Sequence, residues 1–239
     1  MSEDDLIIGI DLGTTHSLVG VVDSGFPIVL ADETGARLLP SCVSWPLRGS
    51  PLIGTEALRT RALAPRRTVS SIKRFMGRPF ADLTADECAS TPYSLVPGPR
   101  GEILIRIDEN TQVTPEDVSA LLLRRLCDIA EEALEHPVRR AVVTVPAYFN
   151  HAQRESTRKA AEMAGLTVER LLNEPTAAAL AYGLDRLDES STVAVYDLGG
   201  GTFDLSVLQM RDGFFEVIAT AGDTRLGGDD IDLALARYL

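Results

Sequence analysis

Twice in this chain an apolar strand runs into Asp-Leu-Gly, and a loop of glycine and threonine then turns it back into a second apolar strand. The first copy enters through residues 6–10 and turns at 11–15, and the second enters through 193–196 and turns at 197–202. Each copy has the pattern of a β-hairpin with a glycine-containing loop. Asp11 and Asp197, which begin the two turns, are 186 residues apart, which is too long for a solenoid repeat. We therefore predict two related lobes, each opening with the same hairpin.

The residue types in the two loops indicate phosphate binding. Glycines that adopt positive φ can bring several backbone N–H groups together on one anion. The carboxylates of Asp11 and Asp197 would repel phosphate, so we predict a Mg²⁺ ion between them and the phosphate oxygens. A single Asp-x-Gly turn is usually only a turn, but its duplication favours the functional interpretation. The predicted backbone and hydroxyl donors are Gly13, Thr14, Thr15, Gly199, Gly200, Gly201 and Thr202.

Charge and composition exclude several classes of partner. The formal net charge of −12 argues against a nucleic-acid partner, because nucleic acids are bound mainly through clustered Lys and Arg. No apolar run reaches the length of a membrane span, and residues 2–5 are acidic or polar where a signal peptide would be basic. We predict a soluble, cytoplasmic protein with neither a nucleic-acid nor a membrane partner.

The sequence also lacks the common signatures of other chemistries. Its three cysteines are odd in number and far apart, and its three histidines form no HExxH motif, so neither a disulfide framework nor a protein-ligated transition metal is indicated. There is no Gly-Lys dipeptide for a Walker loop and no complete GxGxxG fingerprint. A nucleotide would therefore have to be held in another way.

The middle of the chain alternates strands with helices, which indicates an α/β fold. Thr114 and Pro115 have the pattern of a helix start, and Asn150 with Gln153 resembles a capping box. We expect Glu174-Pro175 to turn the chain before the next helix. The predicted elements are a helix from 115 ending before Pro137, a strand at 140–145, a helix from 151 to Gly165, a strand at 168–172 and a helix at 176–182, with a loop-rich insertion at 26–63 and a linker at 185–191.

Four segments together resemble the ATPase domain of the 70-kDa heat-shock chaperones, the DnaK-like family: residues 8–15, 143–150, 173–179 and 197–204. The resemblance implies an α/β fold of the actin-like, ribonuclease-H-like type, with two lobes and ATP in the cleft. It implies a complete first lobe over residues 1–187, with an inserted subdomain at about 38–113, and a second lobe of which only the start, 188–239, is present.

The same resemblance assigns roles to single residues. Thr14 and Thr15 match the first phosphate loop, and Gly199–Thr202 match the second. Asp11 and Asp197 match the carboxylates around Mg²⁺, which K⁺ accompanies in the family. Lys73 matches the lysine that positions the attacking water and the γ-phosphate, whereas by composition Arg66, Arg67, Lys73 and Arg74 would form a solvated basic face. The remaining matches are Glu174 beside the metal and the water, Asp197 as the acceptor of the water's proton, and Pro146 with Arg154 as the relay to a substrate domain.

These roles imply a chaperone ATPase whose nucleotide state controls peptide binding by a domain absent from this chain. The implied partners are unfolded client peptides, a J-domain co-chaperone and a nucleotide-exchange factor. An actin-like filament ATPase and a sugar or carboxylate kinase of the same superfamily are the alternatives. The helix predicted at 230–239 runs to the last residue without a cap, so we expect a longer parent protein that hydrolyses ATP slowly and a fragment that binds ATP weakly or not at all.

Overall fold

The computed structural model describes residues 6–183, 190–211 and 214–239. Its strands are β1 (Ile7–Asp11), β2 (His16–Asp23), β3 (Phe26–Val29), β4 (Leu39–Pro40), β5 (Cys42–Ser44), β6 (Leu52–Ile53), β7 (Thr68–Ser70), β8 (Ser94–Pro97), β9 (Ile103–Arg106), β10 (Gln112–Val113), β11 (Arg140–Val145), β12 (Thr167–Asn173), β13 (Ser191–Leu198), β14 (Phe203–Arg211) and β15 (Phe214–Asp223). Its α-helices are α1 (Thr55–Thr60), α2 (Ala85–Ser90), α3 (Pro115–Leu134), α4 (His151–Met163), α5 (Glu174–Gly183) and α6 (Gly228–Tyr238). Short 3₁₀ helices lie at Pro65–Arg67, Ile72–Phe75 and Phe80–Asp82.

The chain divides into two compact units. The first contains the described residues up to Val143 together with Asn150–Arg170, and the second contains Thr144–Phe149 together with the described residues from Leu171 onward. The mixed α/β architecture of the prediction is confirmed. The predicted lobe boundary at 187/188 and most of the predicted linker lie outside the described residues, so the lobe limits stay a prediction.

The largest sheet among the described residues has the strand order β12-β11-β1-β2-β3, with β4 paired to β2. Strands β1 and β2 are antiparallel, with Ile10 opposite Val19, which confirms the first predicted hairpin. Strand β11 lies parallel to β1 on its other edge. Ile8 and Ile10 are buried, because alternate residues of a strand point to the same face.

Two capped helices pack together in the first unit. The Thr114 hydroxyl accepts a hydrogen bond from the Asp117 backbone N–H at 3.1 Å, and Pro115 occupies the first turn of α3. The Asn150 side chain caps α4 in the same way, at 3.0 Å from the Gln153 nitrogen. Both predicted caps are confirmed, because a capping box depends only on residues three positions apart.

The start of α5 differs from the prediction. Glu174 and Pro175 do not turn the chain; they are the first two residues of the helix, directly after β12. Proline is compatible with a first helical turn, because the N–H groups there have no partner inside the helix. The carboxylate of Glu174 therefore sits at the helix start, where the helix dipole favours a negative charge.

The second unit contains a three-stranded antiparallel sheet in the order β13-β14-β15. Its first two strands confirm the second predicted hairpin, and β15 continues the meander. The register places Asp197 directly opposite Asp204 and Leu198 opposite Phe203, so the loop at 199–202 closes the hairpin.

Other sequence features have plain structural roles. Cys42 and Cys127 are buried and Cys88 is half-buried, all as free thiols. Burial raises the pKa of both Cys42 and Cys127 to about 11, so these thiols stay protonated and serve as small core residues. In the part of the chain that the structure describes, no helix is both long and apolar enough to cross a bilayer.

Candidate functional site

The first loop is held by a ring of hydrogen bonds between its backbone and two serines. The Gly13 backbone N–H donates to Ser17 Oγ at 3.2 Å, and Ser41 Oγ donates to the Gly13 carbonyl at 2.8 Å. The two hydroxyl oxygens are 2.9 Å apart. Because the Ser41 hydroxyl already donates its single proton to the Gly13 carbonyl, the Ser17 hydroxyl must donate the hydrogen bond between the two serines. Each group in the ring both donates and accepts, so the loop is fixed in one conformation.

Ser17 and Ser41 were not among the predicted loop residues. Ser17 occupies an inward position of the alternating strand β2, and both serines are buried. A polar residue at an inward strand position was the available signal for Ser17. Ser41 lies 24 residues later and reaches the loop because β4 pairs with β2, a contact that local sequence patterns do not reveal.

Gly13 is required for a different reason from the one predicted. Its φ is not positive, but a Cβ at this position would lie 2.1 Å from the His16 carbonyl oxygen. The glycine therefore allows a close backbone approach that closes the hairpin. Thr14 is buried and Thr15 is exposed, while Asp11 is half-buried at the end of β1.

The second loop is pinned against the start of α6. The Gly199 N–H donates to the Thr202 carbonyl at 3.0 Å and closes the turn. The carbonyls of Gly199 and Gly200 accept from the N–H groups of Gly228 and Asp229, at 3.0 and 2.8 Å. A Cβ on Gly227 would lie 2.5 Å from Gly200 backbone atoms, so glycine is needed there too.

This pinning orients the donors of the loop. The described residues contain no cis peptide bond, and in a trans peptide the C=O and the following N–H point in opposite directions. The carbonyls of Gly199 and Gly200 are directed at α6. The N–H groups of Gly200 and Gly201 therefore both point away from α6, on the same side of the loop. The predicted positive φ of Gly199, Gly200 and Gly201 is wrong; the donor pair arises instead from the hydrogen bonds to α6.

Beside this loop two carboxylates face each other across the hairpin. Asp197 and Asp204 are direct cross-strand partners, so their side chains lie on the same face with Cβ atoms about 5 Å apart. Like charges in this position destabilise a sheet, and a cation between them reverses that effect. Asp204 is buried. Its role was not predicted, because the pairing register is needed to place it opposite Asp197.

Within the described residues, no group of three or more His, Cys, Asp and Glu side chains is arranged as a metal site. Carboxylate oxygens are nevertheless the ligands that Mg²⁺ and K⁺ use, and Mg²⁺ is usually held by one or two carboxylates with phosphate and water completing its shell. The donor set of Asp197 and Asp204 therefore fits a hard cation that arrives together with phosphate.

Tyr148 lies within electrostatic range of Glu174, Asp197 and Asp204, all in the second unit. Burial raises the pKa of Tyr148 well above its usual value, and the negative charges of Asp204, Glu174 and Asp197 add to the shift. The nearby Thr202 side chain lowers the pKa of Tyr148, but it does not reach hydrogen-bond geometry. The buried Tyr148 hydroxyl therefore has no hydrogen-bond partner among the described residues. The phenol stays neutral and available as a donor.

Replacing Tyr148 by phenylalanine is expected to raise the free energy of unfolding by about 1 kcal/mol, because it removes a buried polar group that has no partner and keeps the ring. Urea unfolding in the absence of nucleotide measures the change. Tyr93→Phe is the matched control: the Tyr93 hydroxyl is buried and donates to the Ser70 carbonyl at 2.6 Å, so its loss should lower stability by about 1 kcal/mol. Equal losses in both variants would contradict the assignment.

Lys73 lies in the first unit, on the 3₁₀ helix Ile72–Phe75. The residue is only 8% exposed, which disagrees with a solvated basic face at this position. Among the neighbouring arginines, Arg66 is exposed, whereas Arg67 is half-buried and forms an ion pair with Asp108 at 3.1 Å. The basic residues of this segment therefore differ in environment, and Lys73 is the buried one.

Of the two predicted relay residues, Pro146 lies on the segment that links β11 to α4, and Arg154 lies in α4 itself. Pro146 directly follows β11 and is buried, and its carbonyl accepts from the Phe149 N–H at 3.2 Å. Arg154 is half-buried in the first turn of α4. Asp11, the first loop, Lys73 and Arg154 belong to the first unit, whereas Pro146, Glu174, Asp197 and the second loop belong to the second.

Comparison with known proteins places the chain in a family. The family model described as Hsp70 protein matches residues 7–239. The chain is 48% identical over 234 residues to the chaperone protein dnaK3 of Thermosynechococcus vestitus, covering 98% of this chain and 34% of that protein. It is 49% identical to the chaperone protein DnaK of Thermus thermophilus, and this match covers 97% of this chain and 37% of that protein. It is 48% identical to the chaperone protein DnaK of Akkermansia muciniphila, and this match covers 98% of this chain and 36% of that protein.

The chain thus spans about a third of the length of these curated relatives. The match nonetheless runs through both hairpins, both loops and every residue to which the sequence analysis gave a role. This protein belongs to the Hsp70 family.

Proposed function

We propose that this protein hydrolyses ATP to ADP and phosphate as the nucleotide-dependent part of a molecular chaperone. The observation that carries the proposal is the second loop, where the N–H groups of Gly200 and Gly201 are directed to one side by hydrogen bonds to α6. Two adjacent donors next to a pair of carboxylates suit a phosphate that arrives with a cation. Membership of the Hsp70 family supports ATP as the nucleotide.

Each of the two loops offers candidate phosphate ligands. In the first loop, the Thr14 N–H points away from Ser41, because the Gly13 carbonyl accepts from that serine. Thr14 and Thr15 add hydroxyl donors, and in the second loop Thr202 adds another. Asp11 and Asp197 would hold Mg²⁺, with K⁺ as a further cation, and Mg²⁺ would neutralise charge on the phosphate oxygens when bound.

Three side chains are assigned to the water and the transferred phosphoryl group. A buried lysine ammonium such as Lys73 stabilises developing negative charge more strongly than an exposed one, because water screens it less. The Glu174 carboxylate orients the attacking water, and Asp197 accepts its proton. Positioning and electrostatic stabilisation of this kind account for most of phosphoryl-transfer catalysis.

The wider activity of the protein follows the same proposal. Hydrolysis would control the binding of extended client peptides by a separate domain, and Pro146 and Arg154 would relay the nucleotide state to it. A J-domain co-chaperone and a nucleotide-exchange factor are the proposed protein partners, and the cytoplasm is the proposed location.

A single-turnover experiment tests the proposed reaction. The complete gene product is mixed with radiolabelled ATP, and labelled phosphate is followed with and without Mg²⁺ and with K⁺ or Na⁺. Slow hydrolysis to ADP and free phosphate that requires Mg²⁺ supports the proposal. ATP-dependent light scattering from polymers would indicate a filament protein instead, and transfer of the label to an added sugar or carboxylate would indicate a kinase.

A further inference from the structure

The segment that contains Lys73, residues 71–77, has an unusual backbone conformation at both ends. Ser71, which precedes the 3₁₀ helix, has φ 55 and ψ 28, and Gly77, which follows Met76, has φ +63. Both values lie in the left-handed region, which non-glycine residues rarely adopt. Lys73 is therefore carried on a short turn that begins and ends at a residue in the left-handed region.

Gly77 allows this turn to lie directly on the first turn of α4. A Cβ at Gly77 would lie 2.6 Å from both the Ala152 carbonyl oxygen and the Gln153 Cα, and 2.7 Å from the Ala152 carbonyl carbon. All three atoms belong to the backbone, so no side-chain rotation can make room. Only a residue without a side chain permits this approach.

Met76 fixes the same turn to α3 and α4. Its side chain is completely buried, and its sulfur lies 3.2 Å from Ser119 Oγ of α3 and 3.8 Å from Ser156 Oγ of α4. Ser156 Oγ is also 2.7 Å from Glu116 Oε1, so this serine ties α4 to α3 beside the methionine. The turn is thus packed between two helices.

Lys73 is joined to this contact by a backbone hydrogen bond. The Met76 N–H donates to the Lys73 carbonyl at 3.4 Å. Arg78, the residue after Gly77, donates to the Arg74 carbonyl at 3.1 Å and to Glu87 at 2.8 Å. A displacement of the turn from α4 would therefore move the Lys73 backbone as well.

We propose that Gly77 is a positioning residue for Lys73: by letting residues 75–77 lie on the first turn of α4, it keeps the Lys73 side chain buried and in place. Its consequence for hydrolysis rests on the proposed function, in which Lys73 acts on the phosphate and the water. Misplacement of a catalytic group by about 1 Å can cost about 100-fold in rate. The first turn of α4 contacts Gly77 and also carries Arg154, the proposed relay residue, so a shift of that helical turn would be passed to the turn that carries Lys73.

The test compares Gly77→Ala with Gly101→Ala in the complete gene product. Both glycines have positive φ, +63 and +82, but a Cβ at Gly101 would meet nothing within 4 Å. Both variants therefore carry the backbone strain, and only Gly77→Ala adds the contact with α4. The first readout is acetylation of Lys73 followed by mass spectrometry, with Lys159, the other lysine of this chain and an exposed one, as the internal reference.

We expect Lys73 in Gly77→Ala to be acetylated at least about fivefold faster than in Gly101→Ala, with Lys159 unchanged. We also expect single-turnover hydrolysis at least about tenfold slower in Gly77→Ala, with ATP affinity within about twofold of the control, since the phosphate loops are untouched. Equal Lys73 acetylation in the two glycine variants overturns the proposal. If acetylation differs but Lys73→Ala hydrolyses ATP normally, the positioning role stands and the catalytic role of Lys73 falls.

If Gly77→Ala does not fold, Ser156→Ala replaces it. This variant removes one hydroxyl from beside Met76 and keeps the glycine contact, so a milder effect is expected: Lys73 acetylation about twofold to threefold faster, at unchanged affinity for ATP. Ser90→Ala, which removes an exposed helix-end hydroxyl bonded to the Glu87 carbonyl at 2.9 Å, is the control. Lys73 acetylation equal to that control overturns the proposal.

Discussion

Replacing Lys73 by alanine is expected to slow single-turnover ATP hydrolysis by about 100-fold to 1000-fold, the usual loss when one charge-stabilising donor is removed from an active site. ATP affinity should fall by less than about tenfold, because the backbone donors of both loops remain. Lys73 as a whole is only 8% exposed, and a buried charge is poorly replaced by solvent when it is removed. Quenched-flow hydrolysis and a parallel nucleotide titration separate the two effects.

The second lysine of the chain supplies the control for this experiment. Lys159 is exposed on α4, so Lys159→Ala removes the same charge from the protein without touching a buried group. It should hydrolyse ATP at the wild-type rate. A Lys73→Ala protein with normal turnover would reject the catalytic assignment, whereas equal slowing in both variants would point to net charge as the cause.

Local sequence patterns predicted those parts of the fold that depend on neighbouring residues. Thr114 and Asn150 were identified as caps because their partners lie three positions away. The two hairpins were identified because strand, turn and strand follow each other in the sequence. The turn predicted at Glu174-Pro175 was wrong, because a proline is compatible with both a turn and a first helical turn.

The details of the phosphate loops could not be predicted from local patterns. The loops were correctly placed as hairpin turns, but their glycines were given the wrong conformational reason. Gly13 is needed for contact with His16, and Gly227, which the prediction did not use, is needed for contact with Gly200. Ser41 and Asp204 enter through strand pairing. Such contacts depend on register and on packing between elements, which one sequence does not specify.

The second large effect is expected for Gly13→Ala, which should lower the free energy of unfolding by about 3 kcal/mol and weaken ATP binding by about 100-fold. The added Cβ would lie 2.1 Å from the His16 carbonyl oxygen and 3.2 Å from its carbonyl carbon. Backbone atoms cannot rotate away, so the hairpin must open. Opening breaks the ring in which Gly13 bonds to Ser17 and Ser41.

Gly9→Ala provides the matched control, because Gly9 lies four residues earlier on β1 and a Cβ there would be 3.9 Å from the Gly20 carbonyl oxygen, an ordinary contact. Alanine also loses less conformational freedom on folding than glycine, so this variant should be as stable as the wild type or slightly more stable. Urea unfolding and a fluorescent-nucleotide titration, both at a temperature where all three proteins are folded, give the two quantities.

The two measurements on Gly13→Ala distinguish a structural loop from a binding loop. Loss of stability alone, with wild-type affinity for ATP, would mean that the first hairpin is needed for folding but contributes nothing to phosphate binding. Loss of both, with the Gly9→Ala control unaffected, requires that the backbone conformation at 13–16 itself makes the binding surface. The hydrogen-bond ring through Ser17 and Ser41 then acts as the support that keeps the Thr14 N–H directed away from Ser41 and available to a phosphate.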